Sequence, residues 1–304
     1  MYQENYCKEK IMETPKKLKM NAKKFRLITI PIMVFFLIFA LVLSLVTNYF
    51  TPSLNAFLGK GARKATTPSG TSGWDTDYYD ITSANSEEAL QNSLKTSENI
   101  ADEGIVLLKN NGLLPLTADT AVTPFGYDYL NPMMSGSGSG SADTTADYVY
   151  TAEKGINEAF SNVNSASVDA MKNGTVHETT PAAASGEGGA TAFLGSSTIL
   201  NEYPAETYNG IEDSCKGTVG IVFLGRAGGE GGDLYTQAYD DGTPHQLALT
   251  DTERGVLDFA KKNCDGVVVV LNSCNTMQVG ELEDDPDIDA VITMCPPGAV
   301  GFKS

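Results

Sequence analysis

Two uninterrupted apolar runs rich in β-branched residues constrain the fold of this chain more than any other feature. Residues 266–271 read GVVVVL, and residues 218–224 read TVGIVFL. Such runs, without polar alternation, are typical of strands buried on both faces of a parallel sheet. Helical patterns alternate with them, and one begins with a capping box formed by Thr250 and Glu253. The sequence therefore predicts an α/β domain whose mostly parallel sheet is sandwiched by helices.

Further elements are expected around these strands. A helix should begin with Ser86 as its N-cap and continue through Leu108 to a polar, glycine-terminated end at 109–112. The remaining expectations are a short strand over 121–126, weakened by its proline, a helix from about 145 to 159, an irregular insertion over 161–200 and a strand over 287–294.

One apolar segment stands apart from this domain. Residues 27–50 carry no charged side chain and are long enough to cross a hydrocarbon core of about 30 Å as a helix. The segment is longer than a secretory h-region, so an uncleaved signal anchor is favoured over a cleaved signal peptide. Eight basic and three acidic residues within positions 1–50 put positive charge on its amino side. The positive-inside rule then places the head in the cytoplasm and the body outside.

The predicted organisation follows from that segment. Residues 1–26 form a cytoplasmic basic head, 27–50 a transmembrane signal anchor in the lipid bilayer, 51–84 a linker rich in Pro, Gly, Ser and Thr, and 85–304 the α/β domain. We expect a single-pass protein of the cell membrane with an extracellular body.

Charge and cysteine content exclude some classes of function. The net charge of −17 argues against nucleic-acid binding, which needs a basic face. The five cysteines and two histidines show no metal-ligand spacing. The four cysteines at 215, 264, 274 and 295 are expected to be small buried apolar residues, and a disulfide pairing stays open.

A glycine-rich loop follows the run at 218–224. Residues 225–234 read GRAGGEGGDL, so Glu230 is flanked by glycines and Asp233 follows three positions later. Glycine permits close backbone approach, which suits a carboxylate that a ligand must reach; a solvated surface turn is the alternative. The tract at 135–141, SGSGSGS, follows another predicted strand, and functional loops gather at the carboxyl ends of parallel strands. Glu187 has a similar glycine-rich setting, but no strand precedes it.

Five segments in order resemble the sandwich-type α/β domain of family 3 glycoside hydrolases, which include β-glucosidases and β-xylosidases. They are GIVLLKNNGLLPL at 104–116, the Phe-Gly pair at 125–126 with its Ser/Gly tract, GEGGDL at 229–234, VVVVLN at 267–272 and the strand with a Pro-Gly turn at 290–298. Leu234 departs from the family pattern, which usually has arginine there. The resemblance covers residues 85–304.

The resemblance implies that Glu230 is the acid/base of a retaining β-glycosidase acting on a β-linked oligosaccharide, with no metal or organic cofactor. Asp233, Arg226, Ser137 and Gly138 are then expected to bind substrate. The family nucleophile is an aspartate of a separate (β/α)₈ barrel, which these 304 residues lack. We expect a partial chain in inverted domain order that is inactive alone. The alternative is a non-catalytic carbohydrate-binding or scaffolding module, favoured by the absent arginine and barrel.

Overall fold

The computed structural model describes residues 22–58, 69–70, 73, 82–136, 141–182, 198–229 and 234–304. The chain divides into two compact units, Met1–Asp80 and Ile81–Ser304. In the first unit, helix α1 spans Ala22–Phe57 and leaves its large apolar side chains exposed. The predicted segment 27–50 lies within α1, which continues into the region predicted as linker.

Within the described residues, α1 is the one helix long and apolar enough to cross a membrane. Its apolar stretch, Ala22–Asn55, contains an 18-residue window with a mean hydropathy of 2.8 and lies near the amino terminus. A membrane anchor and a signal sequence both have these properties.

The second unit alternates helices and strands along most of its length. Helices are α2 Ser86–Gly104, α3 Tyr127–Leu130, α4 Ala152–Ala159, α5 Ser165–Asn173, α6 Glu212–Cys215, α7 Asp251–Asn263 and α8 Gly280–Asp284. Strands are β1 Val106–Asn110, β2 Ala121–Phe125, β3 Asn162–Val163, β4 His177–Thr179, β5 Leu200–Glu202, β6 Val219–Arg226, β7 Gly266–Ser273 and β8 Ala290–Met294.

Six strands form one sheet in the order β1-β8-β7-β6-β2-β3, and β4 and β5 form a separate antiparallel pair. All neighbours in the large sheet are parallel except β1, which runs antiparallel to β8 at the edge. The central strands β6 and β7 pair from Val219–Gly266 to Arg226–Ser273. Their carboxyl ends therefore lie side by side, as the predicted α/β architecture requires.

Both faces of the sheet are apolar. On the face covered by α7, the rings of Phe125, Tyr208 and Phe259 contact one another at centroid distances of 5.1–6.0 Å. On the other face, Phe223 and its neighbours on β7 and β8 line an apolar cavity of about 450 Å³ together with residues of α4. Full burial of the central runs confirms the interpretation of 218–224 and 266–271 as interior strands.

Three helix boundaries predicted from local patterns are wrong. Asn85, not Ser86, caps α2, since its side chain accepts from the Glu88 N–H at 2.9 Å. The helix ends at Gly104, and 106–110 form β1 instead of the last helical turns. Pairing with β8 overrides the helical spacing here, and Lys109 Nζ secures the strand by donating to the Asp285 carbonyl at 2.6 Å. Helix α4 begins at Ala152 behind the cap Thr151, later than expected.

The region 161–200 was predicted as an irregular insertion, and this is also wrong for its described part. It contains β3, α5, β4 and the first residue of β5. These elements are two to nine residues long, too short to show a periodicity in sequence. Residues 183–197, including Glu187, lie outside the described residues.

The capping box at the start of α7 is confirmed. The Thr250 side chain accepts from the Glu253 N–H, and the Glu253 carboxylate accepts from the Thr250 N–H at 2.7 Å. The strand expected over 121–126 is confirmed as β2. Its Pro124 is tolerated because β3 pairs only with Ala121 and Val122, so the ladder on that side has already ended.

Candidate functional site

A cleft lies where β6 and β7 end. Its volume is about 390 Å³, and its described lining is uncharged: Gly136, Thr198, Ala227, Gly228, Gly229, Leu234, Gln246, Cys274, Asn275 and Pro296. The two glycine-rich segments that sequence placed at one sheet edge do meet here. A Cβ built on Gly136 would lie 3.6 Å from the Gly228 carbonyl oxygen. The cleft is therefore bordered by the Ser/Gly tract on one side and the GRAGGEGGDL loop on the other.

Four of the predicted site residues, Glu230, Asp233, Ser137 and Gly138, lie outside the described residues. What the structure does describe are the two ends of the loop that carries Glu230. We call residues 226–229 the first leg and residues 234–235 the second leg. Four residues, 230–233, connect them in sequence.

The first leg lies against the segment that follows β7. The Cys274 N–H donates to the Arg226 carbonyl at 3.0 Å, and Asn275 Nδ2 donates to the Ala227 carbonyl at 3.4 Å. A Cβ on Gly228 would lie 2.7 Å from the Cβ of Cys274, closer than real Cβ contacts. Glycine is thus required at 228 by this close approach, which gives one of the loop's glycines a structural reason.

The second leg is held by Gln246, whose side chain is 2 % exposed. Its side-chain Oε1 accepts from the Tyr235 N–H at 2.9 Å, and its main-chain N–H donates to the Tyr235 carbonyl at 3.0 Å. Its Nε2 reaches the Ala227 carbonyl of the first leg at 3.5 Å, at the limit of a hydrogen bond. One glutamine therefore contacts both legs of the loop.

Arg226, expected to bind substrate, is the largest fully buried side chain in the described chain, at 1 % exposure. Its Nη atoms donate to both carboxylate oxygens of Glu253, at 2.6 and 2.9 Å. The remaining N–H groups donate to main-chain carbonyls. Nε donates to the carbonyl of Gln246, Nη1 to that of Gly225 and Nη2 to that of Ala248. A guanidinium has five N–H donors, so all are used within the protein. Arg226 thus holds the first residue of the first leg in place and has no donor left for a ligand in the cleft.

Burial alone would lower the pKa of Arg226, but the charge and hydrogen bonds of Glu253 outweigh it and raise that pKa. The Arg226 guanidinium therefore carries its positive charge at any working pH.

Two further carboxyls are buried near this pair. Burial raises the pKa of Asp128 to about 8; Arg226 opposes the shift and Glu253 adds to it. The carboxyl of Asp128 lies against Gly225, where a Cβ would come within 2.7 Å of Oδ1. Burial also raises the pKa of Glu202 well above its usual range, although Glu202 accepts from the N–H groups of Tyr203 and Tyr127. Neither residue is among the described residues that line the cleft.

Sequence reasoning missed the Arg226–Glu253 pair and Gln246. Glu253 already had an explanation as half of a capping box, and 27 positions separate it from Arg226. The available signal was Arg226 itself, a cation directly after an apolar strand, which requires a partner if the strand is buried to its end. No group of three or more metal-ligating side chains occurs within the described ranges.

We expect Glu253→Gln to lower the free energy of unfolding by about 3–5 kcal/mol, because it leaves the buried guanidinium without its counter-charge. The matched control is Glu281→Gln. Glu281 also binds an arginine, Arg254, through two hydrogen bonds at 2.8 and 3.0 Å, but both side chains are partly exposed. Its loss should cost about 0–1 kcal/mol. Urea unfolding of the full chain measures both; equal losses would contradict the importance of burial.

The raised pKa of Asp128 predicts a pH dependence of stability. The folded-state pKa of about 8 exceeds the ordinary value of 3.8, so the neutral carboxyl's contribution is complete below pH 3.8. It is lost as the pH rises toward 8, because the unfolded chain ionises above pH 3.8 whereas the folded state keeps this carboxyl protonated until about pH 8. Asp128→Asn cannot ionise. Its stability relative to wild type should therefore increase steadily from about pH 4 to about pH 8, as measured by urea unfolding; a constant difference would contradict this.

Comparison with known proteins agrees with the fold. A curated β-glucosidase of Ruminococcus albus is 27% identical over 208 residues, which make up 68% of this chain and 20% of that protein. This chain thus spans about a fifth of the length of the curated relative it matches.

Two solved β-glucosidase structures share the fold of this chain. The β-glucosidase of Paenibacillus barengoltzii matches with a TM-score of 0.51 and 24% identity, over 69% of this chain and 22% of that one. β-Glucosidase 3B of Thermotoga neapolitana, in complex with glycerol, matches with a TM-score of 0.52 and 19% identity, over 70% and 28%. Residues 105–304 match the glycosyl hydrolase family 3 C-terminal domain, which confirms the resemblance seen in the sequence. The chain belongs to this family.

Proposed function

We propose that this chain supplies the acid/base glutamate, Glu230, of a β-glycosidase that hydrolyses O-glycosidic bonds with retention. One observation carries the proposal: the first leg leaves the carboxyl end of β6 and lines a cleft, and Glu230 directly follows its last residue, Gly229. That edge is where open α/β sheets hold ligands. The curated relative and both structural neighbours are β-glucosidases, which supports a β-linked glucoside as substrate.

In this proposal Glu230 first donates a proton to the leaving glycosidic oxygen and then accepts one from the attacking water. A retaining mechanism needs a second carboxylate about 5–5.5 Å away as nucleophile. We assign that role to an aspartate of a (β/α)₈ barrel outside these 304 residues, so that this chain alone is not expected to hydrolyse glycosides. Asp233, Ser137 and Gly138 are proposed to contact the sugar, and Arg226 to position the loop from behind.

The character of the cleft suits an acid catalyst. A carboxylic acid donates a proton well when it is still protonated near the working pH, and removal from water favours that state. No charged side chain occurs in the described lining of the cleft. A sugar that fills the cleft would exclude water from the loop, and no fixed charge of the described lining would drive the acid to ionise first.

A second candidate function is a non-catalytic carbohydrate-binding or scaffolding module. Leu234 supports it: this side chain lines the cleft and is 37 % exposed, at the position where the family resemblance leads one to expect arginine. Leucine offers no hydrogen bond to a sugar hydroxyl. The cleft could then retain an apolar sugar face without the charge pattern of an active site.

The acid/base role predicts the effect of Glu230→Ala in the product of the complete gene. Hydrolysis of phenyl β-glucoside, whose leaving group needs protonation, should fall by about 10²–10⁴-fold. Hydrolysis of 2,4-dinitrophenyl β-glucoside should be limited by release of the glycosyl-enzyme, and added azide should accelerate it and yield β-glucosyl azide.

Glu187→Ala is the matched control for this experiment, because Glu187 has similar glycine-rich sequence surroundings but the strand before it, β4, belongs to the separate antiparallel pair. It should keep wild-type rates on both substrates. If Glu187→Ala shows the losses and the azide rescue instead, the assignment of Glu230 is wrong. If the wild-type protein binds glucosides but hydrolyses none, the non-catalytic module is the better description.

We also propose that α1 anchors the protein in a membrane with the second unit outside the cell. Expressed in a bacterial host, the chain should stay in the membrane pellet after alkaline carbonate washing, with its amino terminus intact. The double variant Phe36→Arg, Phe39→Arg should appear in the supernatant, since each arginine at a helix centre costs about 2.5–3.5 kcal/mol on insertion. A wild-type protein recovered in the supernatant and beginning beyond residue 50 would mean that α1 is a cleaved signal.

A further inference from the structure

We propose that Gln246 is a positioning residue that fixes where the Glu230 loop leaves and rejoins the sheet edge. The inference rests on the acid/base role proposed for Glu230 and adds to it the residue that holds the acid in place. Gln246 does not touch the reacting atoms in this scheme. It acts through the two legs of the loop.

The contacts of Gln246 divide into main-chain and side-chain sets. Its carbonyl accepts from Arg226 Nε and its N–H donates to the Tyr235 carbonyl. Its side chain adds the 2.9 Å bond from the Tyr235 N–H and the weaker contact with the Ala227 carbonyl. A substitution at 246 therefore removes the side-chain set and leaves the main-chain set in place.

Gln246 is itself held firmly, which a positioning residue must be. The next residue, Leu247, accepts from the Gln278 N–H at 2.9 Å, and Ala248 accepts from Arg226 Nη2 at 2.6 Å. The segment around Gln246 is thus tied both to the region after β7 and to the guanidinium at the end of β6. Contacts with the sheet thus hold the segment around Gln246, and the Gln246 side chain in turn holds the second leg.

Few residues separate the two held ends. Residues 230–233 connect the legs, and each residue can span at most about 3.3–3.6 Å. Of the two bonds between Gln246 and Tyr235, loss of the side-chain bond leaves the main-chain one, and Leu234 follows Glu230 by only four positions. We therefore expect a shift of the second leg to alter the position of Glu230. Misplacement of an acid catalyst harms most the substrates that depend on protonation of the leaving group.

The experiment compares two substrates in the product of the complete gene. Gln246→Leu should lower kcat/KM for phenyl β-glucoside at least tenfold while kcat/KM for 2,4-dinitrophenyl β-glucoside changes little. Gln246→Glu keeps the acceptor for the Tyr235 N–H and should restore most of the loss. Equal losses on both substrates would overturn the proposal, because a merely structural defect lowers both together.

Thr218→Val is the matched structural control. Thr218 is also buried and hydrogen-bonded, to Thr123 at 2.7 Å, but it lies beside the amino end of β6, opposite to the loop. Any loss that it causes should be the same for both substrates. A leaving-group dependence in Thr218→Val as large as that in Gln246→Leu would also overturn the proposal.

Hydrogen exchange tests the anchoring without any need for activity. In the 304-residue chain, the Tyr235 amide should exchange at least tenfold faster in Gln246→Leu than in wild type, while the amides of 222–224 are unchanged. Unchanged Tyr235 exchange, in an enzyme that depends on Glu230, overturns the role of Gln246 alone. If Glu230→Ala keeps full activity, the proposed acid/base role is wrong. Gln246 then has no catalytic group to position, whether or not the Tyr235 amide exchanges faster.

Discussion

The buried ion pair between Arg226 and Glu253 is the interaction on which this end of the domain depends. Removal of two charges from water is costly, and it is tolerated only when each charge is paired and its remaining hydrogen-bonding groups are satisfied. Here the guanidinium uses five donors, and one carboxylate oxygen also accepts from the Thr250 N–H at the start of α7. Strand β6, helix α7 and the segment 246–248 therefore meet at one point.

This junction gives the glycine-rich loop a rigid base. Glycines allow many backbone conformations, which would be a disadvantage for the acid/base role proposed for Glu230 unless the ends of the loop were fixed. Arg226 and Cys274 fix the first leg, and Gln246 fixes the second. The described residues on either side of positions 230–233 are therefore held by the protein itself.

The parts of the fold that could be predicted are those with a local cause. The run at 266–271 is apolar because both faces of β7 are covered, and the Thr250 capping box needs only four consecutive residues. Strand β1 could not be predicted in this way, since its partner β8 lies about 180 positions later and its apolar residues also fit a helical spacing. At the site, sequence located the loop and the sheet edge, whereas the roles of Arg226 and Gln246 depend on contacts that only the folded chain brings together.

Glu253 both caps helix α7 and neutralises Arg226, and this has a consequence for the evolution of the domain. A single substitution at 226 would strand a buried carboxylate, and one at 253 would strand a buried guanidinium, so each intermediate on the way to a new pair is poorly folded. Drift should therefore be slow at both positions and concerted when it happens. The residue that replaces Glu253 must, in addition, still satisfy the first turn of a helix. We therefore expect the residues at 226 and 253 to change together and not one at a time.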